Sequence, residues 1–193
     1  MANAISSWSF PKSLIVGGKE YGINSDYRAV ISVFTALNDY ELKKEDNFVQ
    51  CGVILSLFYE DYESIPIEHW QEALDRMKEF IDMGIDESKN KTKLMDWDKD
   101  APLIIPPVNK ILGYEVREPR YTHWWTFLGA YMNIGECLFS SIINIRQKKA
   151  NKEKLEKYEQ KFYSDNKALI DLDAPQRSKE EKDELRAYFG YKK

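Results

Sequence analysis

The sequence is poor in the residues on which most metal sites and nucleophilic enzymes depend. Its 193 residues include two histidines and two cysteines, and no second histidine or cysteine lies at helical ligand spacing from His69 or His123. No Gly-x-Ser-x-Gly motif is present, and Gly17-Gly18 lacks the further glycines and the Lys-Ser/Thr pair of a phosphate-binding loop. We therefore expect no catalytic residues, no cofactor and no metal, and a protein that is not an enzyme.

Long apolar runs and a large excess of charge of one sign are also missing. No apolar run approaches the roughly 18 residues that span a bilayer, and residues 1–12 lack the basic-then-apolar pattern of a signal peptide. A net charge of −4 argues against general affinity for nucleic acid. Cys51 and Cys137 suggest no disulfide framework, so we expect buried free thiols. The expectation is a soluble, intracellular protein.

What is present is enough apolar material for a folded core, since 43% of the residues are hydrophobic and 13% aromatic. The chain begins with a predicted β-hairpin, in which Ser13–Val16 and Lys19–Ile23 flank the Gly17-Gly18 turn. Apolar residues at helical spacing then predict three helices, over about 27–37, 44–60 and 64–84.

The stretch 94–113 is less regular. Pro106 and Pro107 remove two amide donors and should break or kink a helix there. Asp96, Asp98 and Asp100 alternate as in a calcium loop, but Ala101 and Pro107 stand where that loop needs glycine and glutamate. We therefore expect a solvated loop in which Asp100 caps a turn.

Residues 121–145 form the most apolar segment and predict one central helix with two neighbouring apolar stripes. Trp124 and Trp125 point about 100° apart on a helix, so they serve two surfaces. Core packing and a partner-binding role are both compatible with this pair.

Residues 146–161 carry seven basic and three acidic residues. Tyr158 within this segment and Phe162 directly after it keep helical spacing and are predicted on the buried stripe, which favours a solvated basic face over a nucleic-acid site. A short helix is predicted near the C-terminus, beginning at Ser178.

The predicted fold is therefore mostly α, with one multi-helix domain over residues 13–172 that includes the hairpin. An N-terminal arm, 1–12, precedes it, and a charged tail with a short helix, 173–193, follows. The partner-binding candidates are exposed or clustered aromatics in these regions: Trp8, Phe10, Trp124, Trp125, Tyr188 and Phe189.

Three stretches carry a family resemblance: Gly-Lys-Glu-Tyr-Gly-Ile-Asn-Ser-Asp-Tyr-Arg at 18–28, Tyr-Thr-His-Trp-Trp-Thr-Phe-Leu-Gly-Ala-Tyr-Met-Asn-Ile-Gly-Glu at 121–136, and Ile-Arg-Gln-Lys-Lys at 145–149 followed by Lys-Leu-Glu-Lys-Tyr-Glu-Gln-Lys-Phe-Tyr at 154–163. Over residues 13–172 the chain resembles a family of small proteins from siphophage tail operons and Gram-positive prophages. These motifs are structural and carry no chemistry.

Members of that family typically lie beside the tape-measure gene, and this position implies a tail assembly chaperone. The implied partners are the tape-measure protein, further copies of the chain and the tail tube protein, in the bacterial host cytoplasm. Alternatives are a tail-completion or connector component retained in the virion and, in another class, a nucleic-acid-binding regulator that uses the basic segment.

Overall fold

The structure is a computed structural model that describes residues 8–39, 41–83 and 93–172. Their regular elements are β1 (Ser13–Val16), β2 (Lys19–Gly22), α1 (Tyr27–Asn38), α2 (Asn47–Phe58), α3 (Trp70–Ile81), α4 (Trp97–Leu112), α5 (Trp124–Met132), α6 (Leu138–Ala150), α7 (Lys157–Asp165) and α8 (Lys167–Ile170). The predicted fold class, mostly helical with an N-terminal hairpin, is confirmed. The predicted C-terminal helix lies outside the described residues. No helix among those described is long and apolar enough to cross a membrane.

The chain divides into two compact units. The first contains the described residues up to 83 together with 97–140, and the second contains 93–96 and 141–172. The hairpin belongs to the first unit, and its two strands are antiparallel with Leu14 opposite Tyr21. Gly17 and Gly18 have φ of +56° and +77°, a region that favours glycine because it has no Cβ.

The start of α1 fixes the start of α5. Asp26 caps α1 by accepting from the Arg28 amide at 2.9 Å, and its second carboxylate oxygen accepts from the Thr122 amide at 2.8 Å. The Ser25 carbonyl accepts from the Trp124 amide at 2.8 Å. These bonds join segments that are almost a hundred residues apart, and they position the aromatic residues at the beginning of α5.

The prediction of one continuous helix over 121–145 is wrong. α5 ends at Met132 and α6 begins at Leu138. The Asn133 side chain donates to the Gly129 carbonyl at 2.7 Å, a local bond that competes with helix propagation, and Gly135 follows with a low helix propensity. Met132 is consequently 55% exposed, although the continuous stripe predicted it inside.

Of the break or kink predicted at the prolines, the break is wrong, because α4 continues through Pro102, Pro106 and Pro107. Pro102 and Pro106 lie on its exposed side, where water can bind the carbonyls that lose their amide partners. The opposite side buries Ile104 and Val108, and α4 packs against α1 and α5. Tertiary packing here outweighs the helix-breaking tendency of proline.

The prediction for Asp100 is wrong as well. The sequence predicts that it caps a turn in a solvated loop, whereas it lies within α4 and is fully buried. α4 already begins at Trp97, so Asp100 belongs to the first turn and a half of the helix. A carboxylate there is favoured by the positive end of the helix dipole.

In the second unit, Arg146 of α6 organises the surrounding backbone. Its buried guanidinium donates to the carbonyls of Ile170, Leu169 and Leu94 at 2.6, 3.1 and 3.0 Å. The basic segment is not one helix, because α6 ends at Ala150 and α7 begins at Lys157. The interruption changes the helical phase, so Tyr158 is 72% exposed instead of buried as predicted.

Candidate functional site

The two adjacent tryptophans are core residues of the first unit. Trp124 is 1% exposed and Trp125 is 5% exposed. Their indole N–H groups donate to the carbonyls of Ile81 and Phe80, both at 2.8 Å. Those carbonyls belong to the last turn of α3, whose carbonyls have no partner amide within the helix. The Phe80 carbonyl also accepts from the Met83 amide at 3.2 Å. The tryptophan pair therefore caps the C-terminus of α3.

Aromatic rings surround this cap. Trp125 stacks against Phe80 with ring centres 5.7 Å apart, and Trp124 lies edge-on to Trp97 at 5.9 Å. Such pairs contribute beyond their apolar burial. The two tryptophans pack in the core, as one of the two interpretations of the pair predicts. Their burial limits direct contact with a partner.

An apolar recess opens beside Trp124, and we call it the α5 cleft. Its volume is about 190 Å³, and it is lined by residues of α1, α4 and α5 and by the end of α3: Phe34, Ile81, Asp82, Trp97, Trp124, Leu128, Tyr131 and Met132. Met132 contributes an exposed thioether side chain, a flexible group that adapts to varied apolar partners. The cleft can thus accept an apolar side chain.

A second recess, the proline groove, lies along the exposed side of α4. Its volume is about 340 Å³, and it is lined by Pro102, Leu103, Pro106, Pro107, Lys110, Cys137, Leu138 and Phe139. Leu138 is 49% exposed. Phe139 lies 6.0 Å from the Tyr131 ring, so neighbouring aromatic rings line the two recesses.

The N-terminal arm contacts the first unit through His123. Phe10, 60% exposed, stacks on the imidazole with ring centres 4.6 Å apart. The Pro11 carbonyl can only accept, so His123 Nε2 carries the proton that it shares at 3.1 Å. Nδ1 accepts from the Trp125 amide at 3.1 Å. Burial lowers the pKa of His123, consistent with this neutral form.

The other predicted partner-binding residues differ in placement. Trp8 lies in the arm with its side chain fully exposed. Tyr188 and Phe189 are outside the described residues. The structure therefore brings Phe10 close to Trp125 through His123, and it keeps Trp124 at the wall of the α5 cleft.

The groups with shifted pKa values include residues whose hydrogen bonds stabilise the fold. Hydrogen bonds from the Arg117 guanidinium hold the pKa of Glu115 at about 2, and burial raises the pKa of Tyr59, whose hydroxyl donates to the Ala73 carbonyl. In the described part of the chain, no group of three or more His, Cys, Asp or Glu side chains is placed to hold a metal ion.

The residues of the two recesses were largely missed by sequence reasoning. Phe34 lies in the helix predicted over 27–37, and Met132 and Leu138 lie in the helix predicted over 121–145. Neither pattern indicates that these residues line surface recesses. The signal for Met132 and Leu138 was present, because Asn133 and Gly135 interrupt the helix between them. Phe34 gave no comparable signal, since its neighbours come from distant parts of the chain.

Residues 10–172 match the family described as Bacteriophage Gp15 protein, and no curated protein and no solved structure matches the chain. The matched region includes the hairpin, α1–α8 and His123 with its two tryptophans. The resemblance to a bacteriophage family is thereby confirmed, and the chain belongs to the bacteriophage Gp15 protein family.

Proposed function

We propose that this chain is a tail assembly chaperone that binds the tape-measure protein and self-associates during tail morphogenesis. It acts in the host cytoplasm by binding and not by catalysis. The observation that carries the proposal is the pair of apolar recesses, the α5 cleft and the proline groove, which open on one unit of a bacteriophage protein.

The physical requirement of such a chaperone fits these recesses. A tape-measure protein is a very long, helix-rich chain that exposes apolar side chains until the tail tube encloses it. Recesses of this size accept individual apolar side chains from one face of a helix. Repeating the recesses by self-association lets several weak contacts act together along a long partner.

Co-expression with the tape-measure protein of the same phage tests the proposal. The wild-type chain should keep its partner soluble. Met132→Glu and Leu138→Glu place a charge in the α5 cleft and the proline groove, at positions that are already half exposed. Each should weaken partner binding about tenfold or more, since burying an unpaired charge costs well over the 1.4 kcal/mol that a tenfold change requires.

Tyr114→Glu is the matched control. Tyr114 is 41% exposed and lines neither recess, so its variant should solubilise the partner as well as wild type does. If the wild-type chain fails to keep the partner soluble and remains monomeric in light scattering at high concentration, the chaperone proposal is wrong. Recovery of the chain from purified virions at fixed stoichiometry would instead identify a tail-completion or connector component.

A further inference from the structure

Helix α2 is apolar around its circumference and has no charged residue over its whole length, Asn47–Phe58. One side is buried in the first unit through Ile54, Leu55 and Phe58. The other side leaves Val49 and Val53 accessible, 38% and 37% exposed. A helix that is apolar on both sides is typical of one that packs against a second surface.

Trp70 extends the exposed side of α2 into a wider surface. Its ring stacks on Phe48 at 4.7 Å and lies against Gly52, where an added methyl group would meet it at 3.5 Å. The indole N–H donates to a backbone carbonyl at 3.1 Å, which fixes the ring. We call Phe48, Val49, Gly52, Val53 and Trp70 the α2 platform.

The chain around this platform is strongly acidic. Residues 45–75 contain eight aspartates and glutamates and no lysine or arginine. Seven of the eight are exposed: Glu45, Asp46, Glu60, Asp61, Glu63, Glu68 and Asp75. Within the described residues, none of these seven forms an ion pair with a lysine or arginine. Their charge is available to a partner.

Helix stability explains only part of this charge. Asp46 caps α2 by accepting from the Val49 amide at 2.9 Å, and a negative charge is favourable at that end. Glu60 and Asp61 directly follow the C-terminus of α2, where the helix dipole disfavours negative charge. Carboxylates at both ends of an uncharged helix are complementary to a partner that is basic at its edges and apolar at its centre.

We propose that the α2 platform binds a basic amphipathic helix of a protein partner. The apolar face of that helix packs on Val49, Val53 and Trp70, and its lysines and arginines pair with the flanking carboxylates. The 12 residues of α2 extend about 18 Å, which matches roughly three turns of a partner helix. This surface is separate from the α5 cleft and the proline groove, and the inference does not depend on the chaperone role.

A defined peptide tests the inference. The probe is a fluorescent helix of about 18 residues with leucine on one face and lysine on the other, and its counterpart carries glutamate in place of lysine. In fluorescence anisotropy the lysine peptide should bind the full-length chain at least about tenfold more tightly than the glutamate peptide. Added salt should weaken its binding, because exposed charges are screened.

Variants locate the binding surface. Glu60→Lys with Asp61→Lys should weaken binding of the lysine peptide about tenfold or more. The control, Glu118→Lys with Glu136→Lys, changes the net charge equally at two exposed positions elsewhere and should leave the affinity within about twofold. If the control variant loses affinity as strongly as the first, general electrostatic attraction explains binding and the inference is overturned.

An apolar variant tests the other half of the inference. Val53→Ser should weaken binding several-fold, whereas Ile111→Ser, at a position 42% exposed on α4, should not. Circular dichroism must first show that each variant retains wild-type helicity. Absence of saturable binding by the wild type, or equal affinity of Val53→Ser and wild type, would refute the α2 platform as the binding surface.

Discussion

Replacing Trp124 or Trp125 with phenylalanine removes one indole cap from the end of α3 and keeps an aromatic ring in the core. The lost bonds are short, 2.8 Å each. Trp124→Phe leaves the buried Ile81 carbonyl without its indole donor, a loss worth about 1–3 kcal/mol. Trp125→Phe removes one hydrogen bond from the Phe80 carbonyl, which keeps the Met83 amide at 3.2 Å, so this loss is worth about 0.5–1.5 kcal/mol. The smaller ring adds about 1 kcal/mol of lost apolar burial. We expect the free energy of unfolding to fall by about 2–4 kcal/mol in Trp124→Phe and by about 1.5–2.5 kcal/mol in Trp125→Phe.

Urea unfolding followed by circular dichroism measures this loss. Trp97→Phe is the matched control, because Trp97 packs in the same aromatic group and is only partly buried. It should lose about 1 kcal/mol, since only ring area changes. Amide hydrogen exchange should show faster exchange in the last turn of α3 for the Trp124 and Trp125 variants. Losses below about 0.5 kcal/mol in both variants, or a loss in Trp124→Phe equal to that of Trp97→Phe, would refute the capping role.

Three further predictions concern stability. Gly17→Ala should destabilise more than Gly18→Ala in thermal melts, because both need positive φ but only at Gly17 does the new methyl group meet the His69 ring, at 2.6 Å; equal losses would contradict this. Burial lowers the pKa of His123 in the folded chain. The neutral imidazole should therefore contribute its whole share of the free energy of unfolding above the ordinary pKa of 6.5, and this share should fall as the pH drops below it. His123→Asn, which can still cap α5, should remove that part of the pH dependence, and an unchanged urea midpoint profile would contradict it. The Lys148 ammonium, 2.7 Å from the Glu159 carboxylate, lowers the pKa of Glu159, so the pair should stabilise the fold above pH 4.5 and lose this effect as the pH falls further. Glu159→Gln should reduce that loss of stability in acid. A pH dependence of the urea midpoint identical to that of wild type would argue against the pair.

Local patterns were sufficient for the first half of the fold. The Gly17-Gly18 turn predicts the hairpin because two positive φ angles are needed there. The helical spacing of apolar residues predicts α1 and α2 to within about three residues at each end, and it predicts α3 with its start about six residues early. Where a local signal and the tertiary environment agree, the sequence is enough.

The later errors come from competition between local and tertiary terms. Asn133 and Gly135 end a helix that apolar periodicity alone extends to residue 145. The local signal for the helix end is therefore present in the sequence, and the prediction gave more weight to the apolar periodicity. At Pro106 the reverse occurs, because burial of the opposite side of α4 outweighs a strong local signal. The indole bonds of Trp124 could not be predicted, since nothing in the sequence shows that the end of α3 lies beside the start of α5.

These placements separate stability from binding. Trp125 caps α3 and lines neither recess, whereas Met132 lies in the α5 cleft and is half exposed. Trp125→Phe should therefore lower the free energy of unfolding and leave partner affinity per folded molecule unchanged. Met132→Glu should weaken partner affinity and leave the free energy of unfolding almost unchanged, because surface substitutions usually change stability by less than about 0.5 kcal/mol. Measuring unfolding and partner affinity for both variants tests the distinction. A loss of affinity in Trp125→Phe that persists after correction for the folded fraction would place the partner on the tryptophan pair itself.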